Sequence, residues 1–398
     1  MTNARTIRDT FEQGHGILRL IPAFVPRKFG KAGHRLRLHP DDYYAAGMNR
    51  GAITERWFTS VTSTLNGPLA PLDEGMSYVS FSNRVEDKFL FKDAVDELGV
   101  DLIGRELKDK YNSFPVFAKF FDYETPLFHH LHLGDIAASL VGKTPKPEAY
   151  YFPHQLNNHP GQFPVTYFGF DPSTTMDEVR ERIADFEKLD TRITELSRAY
   201  RIQLGTGWYV PPGVIHAPGS YLTYEPQWNS DVSAVFENVA SGEVIPYESL
   251  AEHCPDDRRH DIDYILSLLD WEKNVDPLFK EHYYRPPIVC MDEPYEEMWI
   301  TYGNVYFSAK ELTIPPGRTV VVKDGAAYGC VVIEGYGRLG RYQAAAPIMI
   351  RYGALTSDEF FVSEQAAKEG VTVTNLSLTE PLVMLKHFGP NNPGVPVV

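Results

Sequence analysis

Cysteine is scarce in this chain of 398 residues, with only Cys254, Cys290 and Cys330 present. Their wide spacing fits neither a zinc finger nor a disulfide framework, so a reducing compartment is the default setting. Positive charge is short as well. With 38 Lys and Arg against 53 Asp and Glu, the formal net charge is -15, which provides no general field to hold a polyanion and excludes nucleic acid and anionic membrane as expected partners. Long apolar runs are missing: none approaches the ~20 residues that span a bilayer. The N-terminal stretch MTNARTIRDTFEQGHGILRLIPAF carries Asp9 and Glu12 before its apolar part and Arg19 within it, unlike a secretory signal. A cytoplasmic protein is expected. Low-complexity segments and solenoid-type repeats are also absent.

The chain is rich instead in 30 Gly, 30 Pro and 13% aromatic residues, the marks of many strands and turns. Its fold class reads as mainly β with helical inserts. A first β unit over 1–245 contains helical inserts at about 86–111 and 173–201; the second insert, opening on a Ser/Thr cap, reads as a pair of helices. Residues 246–285, with DIDYILSLLDW, form a helical bridge. From 286 to 398 helices nearly vanish, and TIPPGRTVVVKDG, CVVIEGYGRLG, IMIRYGAL, SDEFFV, VTVTNLSL and PLVMLKHF read as six short strands of a small barrel or sandwich. Each β unit carries a PPG turn, at 211–213 and 315–317.

The 13 histidines are unevenly placed. His129, His130, His132, His154, His159 and His216 fall in the first unit, whereas only His387 lies beyond His282. In a strand, residues i and i+2 face the same way, so His130 and His132 form a two-imidazole platform and His129 faces away. An HxH pair alone is usually two polar residues on a solvent face. Two further residues strengthen the metal reading: Glu148 opens the next strand, EAYYF, and His216 follows a tight PPG turn in an otherwise apolar strand, an awkward place for a histidine without a partner. Three neutral imidazoles and one carboxylate suit one divalent zinc, iron, manganese or nickel ion rather than calcium or magnesium, and do not choose among the four.

The order PVFAKFFD, PLFHHLH, GKTPKPEAYY, FGF, a helical insert and VPPGVIHA resembles type I phosphomannose isomerase, a metal-dependent family of the cupin superfamily. The resemblance is best over 114–238 and extends weakly to ITERWFTS upstream and to the second β unit downstream. It implies two cupin (jelly-roll) barrels. It also implies zinc ligands at His130, His132, Glu148 and His216, with Lys146 at the lysine of the Lys-x-Glu step, and further matches at Glu225 and at Ser230 and Asp231. Two departures stand out: His130 replaces the family's glutamine ligand, and Val235 stands where the family has an arginine, so a free sugar becomes an expected substrate beside a sugar phosphate.

Aldose–ketose isomerisation needs a Lewis acid on the substrate oxygens and a base beside the C–H. Glu225 is the candidate base and Lys146 the group that orients a hydroxyl. Asp231, Tyr150 and His129 are the candidate substrate contacts; His129 otherwise reads as a partnered core histidine, unless a one-residue change of register exchanges it with His130. Trp57 and Tyr150 could stack on a sugar, and His154 and His159 could line the pocket mouth. With only His387, the second barrel cannot repeat the metal site. A cupin oxygenase or lyase is the first alternative, and a non-catalytic sugar-binding cupin the second.

Overall fold

The computed structural model describes residues 4–158, 161 and 163–398; the candidate His159 lies outside them. Two antiparallel β units pack back to back. In the first, a seven-stranded sheet runs in the order Tyr284–Arg285, Gly207–Val210, Glu148–Tyr151, Thr223–Trp228, Val116–Phe121, Ala52–Phe58, Ala23–Arg27. It faces a five-stranded sheet ordered Ser197–Arg201, Val165–Phe170, His216–Ala217, His130–Leu131, Ala234–Val235. The second unit sets a nine-stranded sheet against the four strands Thr319–Val322, Val371–Asn375, Tyr336–Leu339 and Tyr342–Ala345. Its interior is filled by Ile314, Val332, Phe360, Met384 and Phe388. The architecture is the mainly β, two-barrel cupin one.

The seven-stranded sheet is buried on both faces, and the period-2 geometry of its strands sorts the side chains between them. Phe58, Phe120, Tyr151 and Tyr224 turn outward and pack on Ile300, Val331, Ile333 and Leu385 of the second barrel. Their neighbours Trp57, Lys119, Tyr150 and Glu225 turn inward. Each fully buried aromatic or aliphatic side chain at this junction contributes about 1.5–3 kcal/mol, so the second barrel holds the back of the site. The PPG turn does a local job: Val214 N–H donates to the Pro211 carbonyl at 3.3 Å and Gly213 takes φ +79°, a left-handed position that glycine adopts without a Cβ penalty. The strand His216–Ala217 starts two residues later.

Several segments differ from the sequence expectation. Residues 173–201 hold one helix, Met176–Ile183, closed by a capping box between Thr175 and Glu178, not a pair. Arg192 takes φ +48° and breaks the chain, a 3-10 turn follows at Ile193–Leu196, and Ser197–Arg201 becomes a strand paired with Val165–Phe170. In the second unit, IMIRYGAL contributes only the bridge of Ile350 to Leu38, while Ile288–Met291, Glu296–Thr301 and Ser308–Ile314 are strands. Sheet membership also crosses the expected boundary at residue 245. Ile17–Ile21 pairs with Glu359–Val362, and Tyr78–Ser80 and Lys88–Leu90 extend the same nine-stranded sheet. The first of these pairings joins residues more than 300 apart, which local patterning cannot report. Among the described residues no helix is long and apolar enough to cross a membrane.

Candidate metal centre

The pairing of His216 opposite His130 brings two imidazoles to 4.3 Å between centroids, and His132, two residues on along the strand, lies 5.0 Å from each. The ring orientations are fixed from behind. Nδ1–H donates to a backbone carbonyl in all three: His130 to Phe128 at 3.0 Å, His132 to Val232 at 2.8 Å, His216 to Val214 at 2.9 Å. That arrangement sets the tautomer and leaves each Nε2 lone pair facing inward, as metal-ligating histidines require. The donor atoms lie within 4.8 Å of one another, and no other such group of three occurs among the described residues. Burial holds His130 well below the ordinary imidazole range and His132 at about 4, so both are neutral.

Glu148 projects from the opposite sheet, with Oε2 2.9 Å from His132 Nε2 and Oε1 3.1 Å from His216 Nε2. Neither His216 Nε2 nor Glu148 Oε1 has a hydrogen-bond partner, although both are buried. Two orphaned acceptors this close in a dry interior are costly unless a third party, a proton or a cation, satisfies both. Three imidazole nitrogens and a carboxylate oxygen therefore fit a divalent first-row metal. Burial pushes the Glu148 carboxyl up, but the Lys146 ammonium outweighs it and keeps it well below the usual range, hence ionised. Lys146 Nζ lies 2.8 Å from His132 Nε2 and 2.7 Å from Glu148 Oε2. One lone pair on His132 serves either this ammonium or a metal, not both.

From Glu148 a line of alternating charges crosses the inner face of the seven-stranded sheet. Strand register places Lys119 opposite both Trp57 and Glu225. Glu225 Oε1 lies 3.6 Å from Lys146 and 3.2 Å from Lys119; Lys119 is 3.8 Å from Glu55, and Arg27 joins Glu55 at 2.9 Å to Asp231 at 3.2 Å. Burial, with Glu148 beside it, raises Glu225 to about 8. Burial also pushes Glu55 upward, but Arg27 and Lys119 prevail and lower it to about 2; Asp231 is lowered likewise by Arg27 against its burial.

The line ends on a cleft of about 130 Å³ lined by Arg27, Glu55, Lys119, His130, His132, Lys146 and Asp231, with Phe29, Phe128, Val235 and Glu252 around them. Glu148, His216 and Glu225 are not among the lining groups and form the buried floor. Two residues expected to touch the substrate lie elsewhere. Tyr150 is packed among Phe121, Phe152 and Phe168, because its inward position falls beside the floor. His129 points to the reverse side of its strand, where Nδ1 meets Glu237 at 2.7 Å. Trp57 stacks on Phe117 and donates to Glu55 at 2.8 Å, and His154 is exposed, away from the cleft lining. Lys119, Glu55 and Arg27 went unnoticed as site residues, although a lone lysine inside the apolar run PVFAKFFD was a usable signal.

Fold and side chains together give two jelly-roll barrels, the first of which gathers His130, His132 and His216 with Glu148 against them. Solved structures sharpen the architecture. The mannose 6-phosphate isomerase of Bacillus subtilis superposes with TM-score 0.61 at 17% identity over 94% of this chain and 99% of that one. A phosphomannose isomerase variant from Salmonella typhimurium gives 0.62 at 10% identity over 94% and 100%, and a mannose 6-phosphate isomerase solved with zinc bound gives 0.61 at 10% over 94% and 99%. The chain thus has the phosphomannose isomerase fold along nearly its whole length. No protein-family model and no curated protein sequence matches it.

Proposed function

We propose that this protein is a metal-dependent aldose–ketose isomerase whose substrate is an unphosphorylated sugar. The observation that carries the reading is the set of three tautomer-fixed histidines and Glu148 beneath a cleft faced by two lysines. His130, His132, His216 and Glu148 would hold one divalent ion, which when bound supplies Lewis-acid polarisation of the sugar oxygens. Glu225 takes the proton from the carbon next to the carbonyl and returns it to the neighbouring carbon, and burial beside Glu148 brings it to about 8, near the operating range of a group that must both accept and give back a proton. Lys119 and Lys146, which line the cleft and flank the buried Glu225, offset the charge that develops on the enediol oxygens. Phe29, Leu65 and Phe128 screen the cleft from water.

Charge balance supports the neutral substrate. Arg27, Lys119 and Lys146 are each tied to carboxylates, and Val235 and Glu252 stand at the cleft where a phosphate would need a cation. The test is exchange of the sugar's α-hydrogen with deuterated solvent by the metal-loaded protein, across free and phosphorylated aldoses. Exchange with free sugars, abolished in Glu225→Gln with metal retained, is expected; no exchange with any aldose or ketose would sink the proposal. The three-imidazole donor set also suits an iron oxygenase, and oxygen uptake by the iron-loaded protein would favour that second reading.

A further inference from the structure

A second polar cleft, of about 450 Å³, opens where the strand Ile17–Ile21 joins the second barrel. Arg19, Arg341, Ser80, Ser82, Asn83 and Tyr342 lie in its wall, and no carboxylate lines it. The absence matters in a chain of net charge -15, where Arg27, Arg35, Arg50 and Arg56 each meet a carboxylate in the interior. Arg19 has no such partner among the described residues. Its Nη2 donates to Ser80 Oγ at 3.4 Å, to Asn83 Oδ1 at 3.3 Å and to the Ser82 carbonyl, and its buried Nε has no hydrogen-bond partner. Arg341 donates from Nη1 to the Gln13 carbonyl at 2.6 Å. Burial raises the Tyr342 phenol, while the two guanidiniums that line the same cleft act on it in the opposite sense. The carboxylate nearest in the network is Asp87, which accepts from Ser82 Oγ at 2.8 Å outside the lining.

A half-buried guanidinium with an unsatisfied N–H calls for an acceptor, and an anion supplies both the acceptor and the missing negative charge. Two arginines and a ring of hydroxyl and amide groups match the planar, charge-assisted pairing that tetrahedral oxyanions receive. We propose that this cleft is a phosphate-binding site, in which Arg19 and Arg341 hold the oxygens of a phosphate dianion, free or as the monoester of a small metabolite. The site is separate from the metal centre and does not depend on the isomerase reading.

Calorimetry on the full chain tests it, with inorganic phosphate and glycerol phosphate as probes at low ionic strength. One equivalent per chain is expected, with affinity falling at least tenfold in Arg341→Gln and in Arg19→Gln and persisting in His132→Ala. A tighter fit of glycerol phosphate assigns the monoester, and a tighter fit of inorganic phosphate the free ion; either supports the site. Arg341 is exposed, so its variant tests the site without disturbing the core. Absence of binding to the parent chain at tens of millimolar, or affinity unchanged in Arg341→Gln, overturns the proposal.

Discussion

The two barrels bury ionisable groups in their interiors and treat them in opposite ways. In the first, His216 Nε2, Glu148 Oε1 and Glu225 Oε1 are buried without hydrogen-bond partners, close to a cleft. In the second, two lysines and two carboxylates satisfy one another: Lys310 lies 2.8 Å from both Glu297 and Asp324, and Lys386 lies 2.7 Å from Asp324 and is paired with Glu297 as well. That quartet is electrically neutral, and even Glu297 Oε1, which lacks a hydrogen-bond partner, is ion-paired with Lys386. The first barrel's set is open, which is costly for stability and useful for chemistry.

The largest break in this comparison is expected in the first barrel. Glu148→Ala or His132→Ala removes one of four donors from a set that no second cluster among the described residues can replace. Metal content measured on chelator-treated and reloaded protein should fall from one equivalent to near none, with isomerase activity lost by at least ~10²-fold. Retained stoichiometric metal in both variants would refute the assignment. Lys386→Met makes the converse test. It leaves Glu297 and Asp324 with one ammonium between them, so unfolding free energy should drop by about 3–5 kcal/mol while metal content is unchanged. A stability loss below ~1 kcal/mol would mean that the quartet is not a closed unit.

The junction between barrels gives a smaller, pH-dependent effect. Buried His387 approaches the Tyr224 hydroxyl at 2.9 Å through Nδ1 and contacts Thr59 through Nε2, and Tyr224 adjoins Glu225 on the strand. Burial lowers His387 to about 3. Between that value and the ordinary ~6.5, the unfolded chain binds a proton that the folded chain does not, so stability rises with pH across the window and is lost on acidification. His387→Gln should lose less stability than the parent between pH 7 and pH 5, by up to about 2 kcal/mol, read from urea midpoints. Equal losses would show that His387 does not titrate as a buried neutral group.

How much of this was legible in the sequence follows from the range of the interactions. The HxH platform is a local, period-2 feature, and Glu148 and His216 stood out as polar residues at the start of apolar strands, so the first barrel's donors could be read directly. The charge line through Lys119, Glu55 and Arg27 depends on the register among three strands, which no local pattern specifies. The same holds for strand Ile17–Ile21 joining the second barrel, and hence for the Arg19 cleft. Tyr150 shows the limit from the other side: its inward direction was right, but inward meant the aromatic core.

The smallest effect concerns what the first barrel's cleft accepts. Val235 pairs with His130 across the sheet and lines the cleft, where the cations already present are bound to carboxylates. Val235→Arg adds one uncommitted guanidinium there, and a charge-assisted contact to phosphate contributes about 1.5–3 kcal/mol, reduced by the cost of bringing the arginine into a confined position and by Glu252 nearby. The net expectation is a KM for a sugar phosphate lowered about threefold to tenfold, with kcat and the KM for the corresponding free sugar changed by less than ~2-fold. If both KM values fall together, the arginine tightens binding without reading the phosphate, and the paired cations are not what makes this cleft selective.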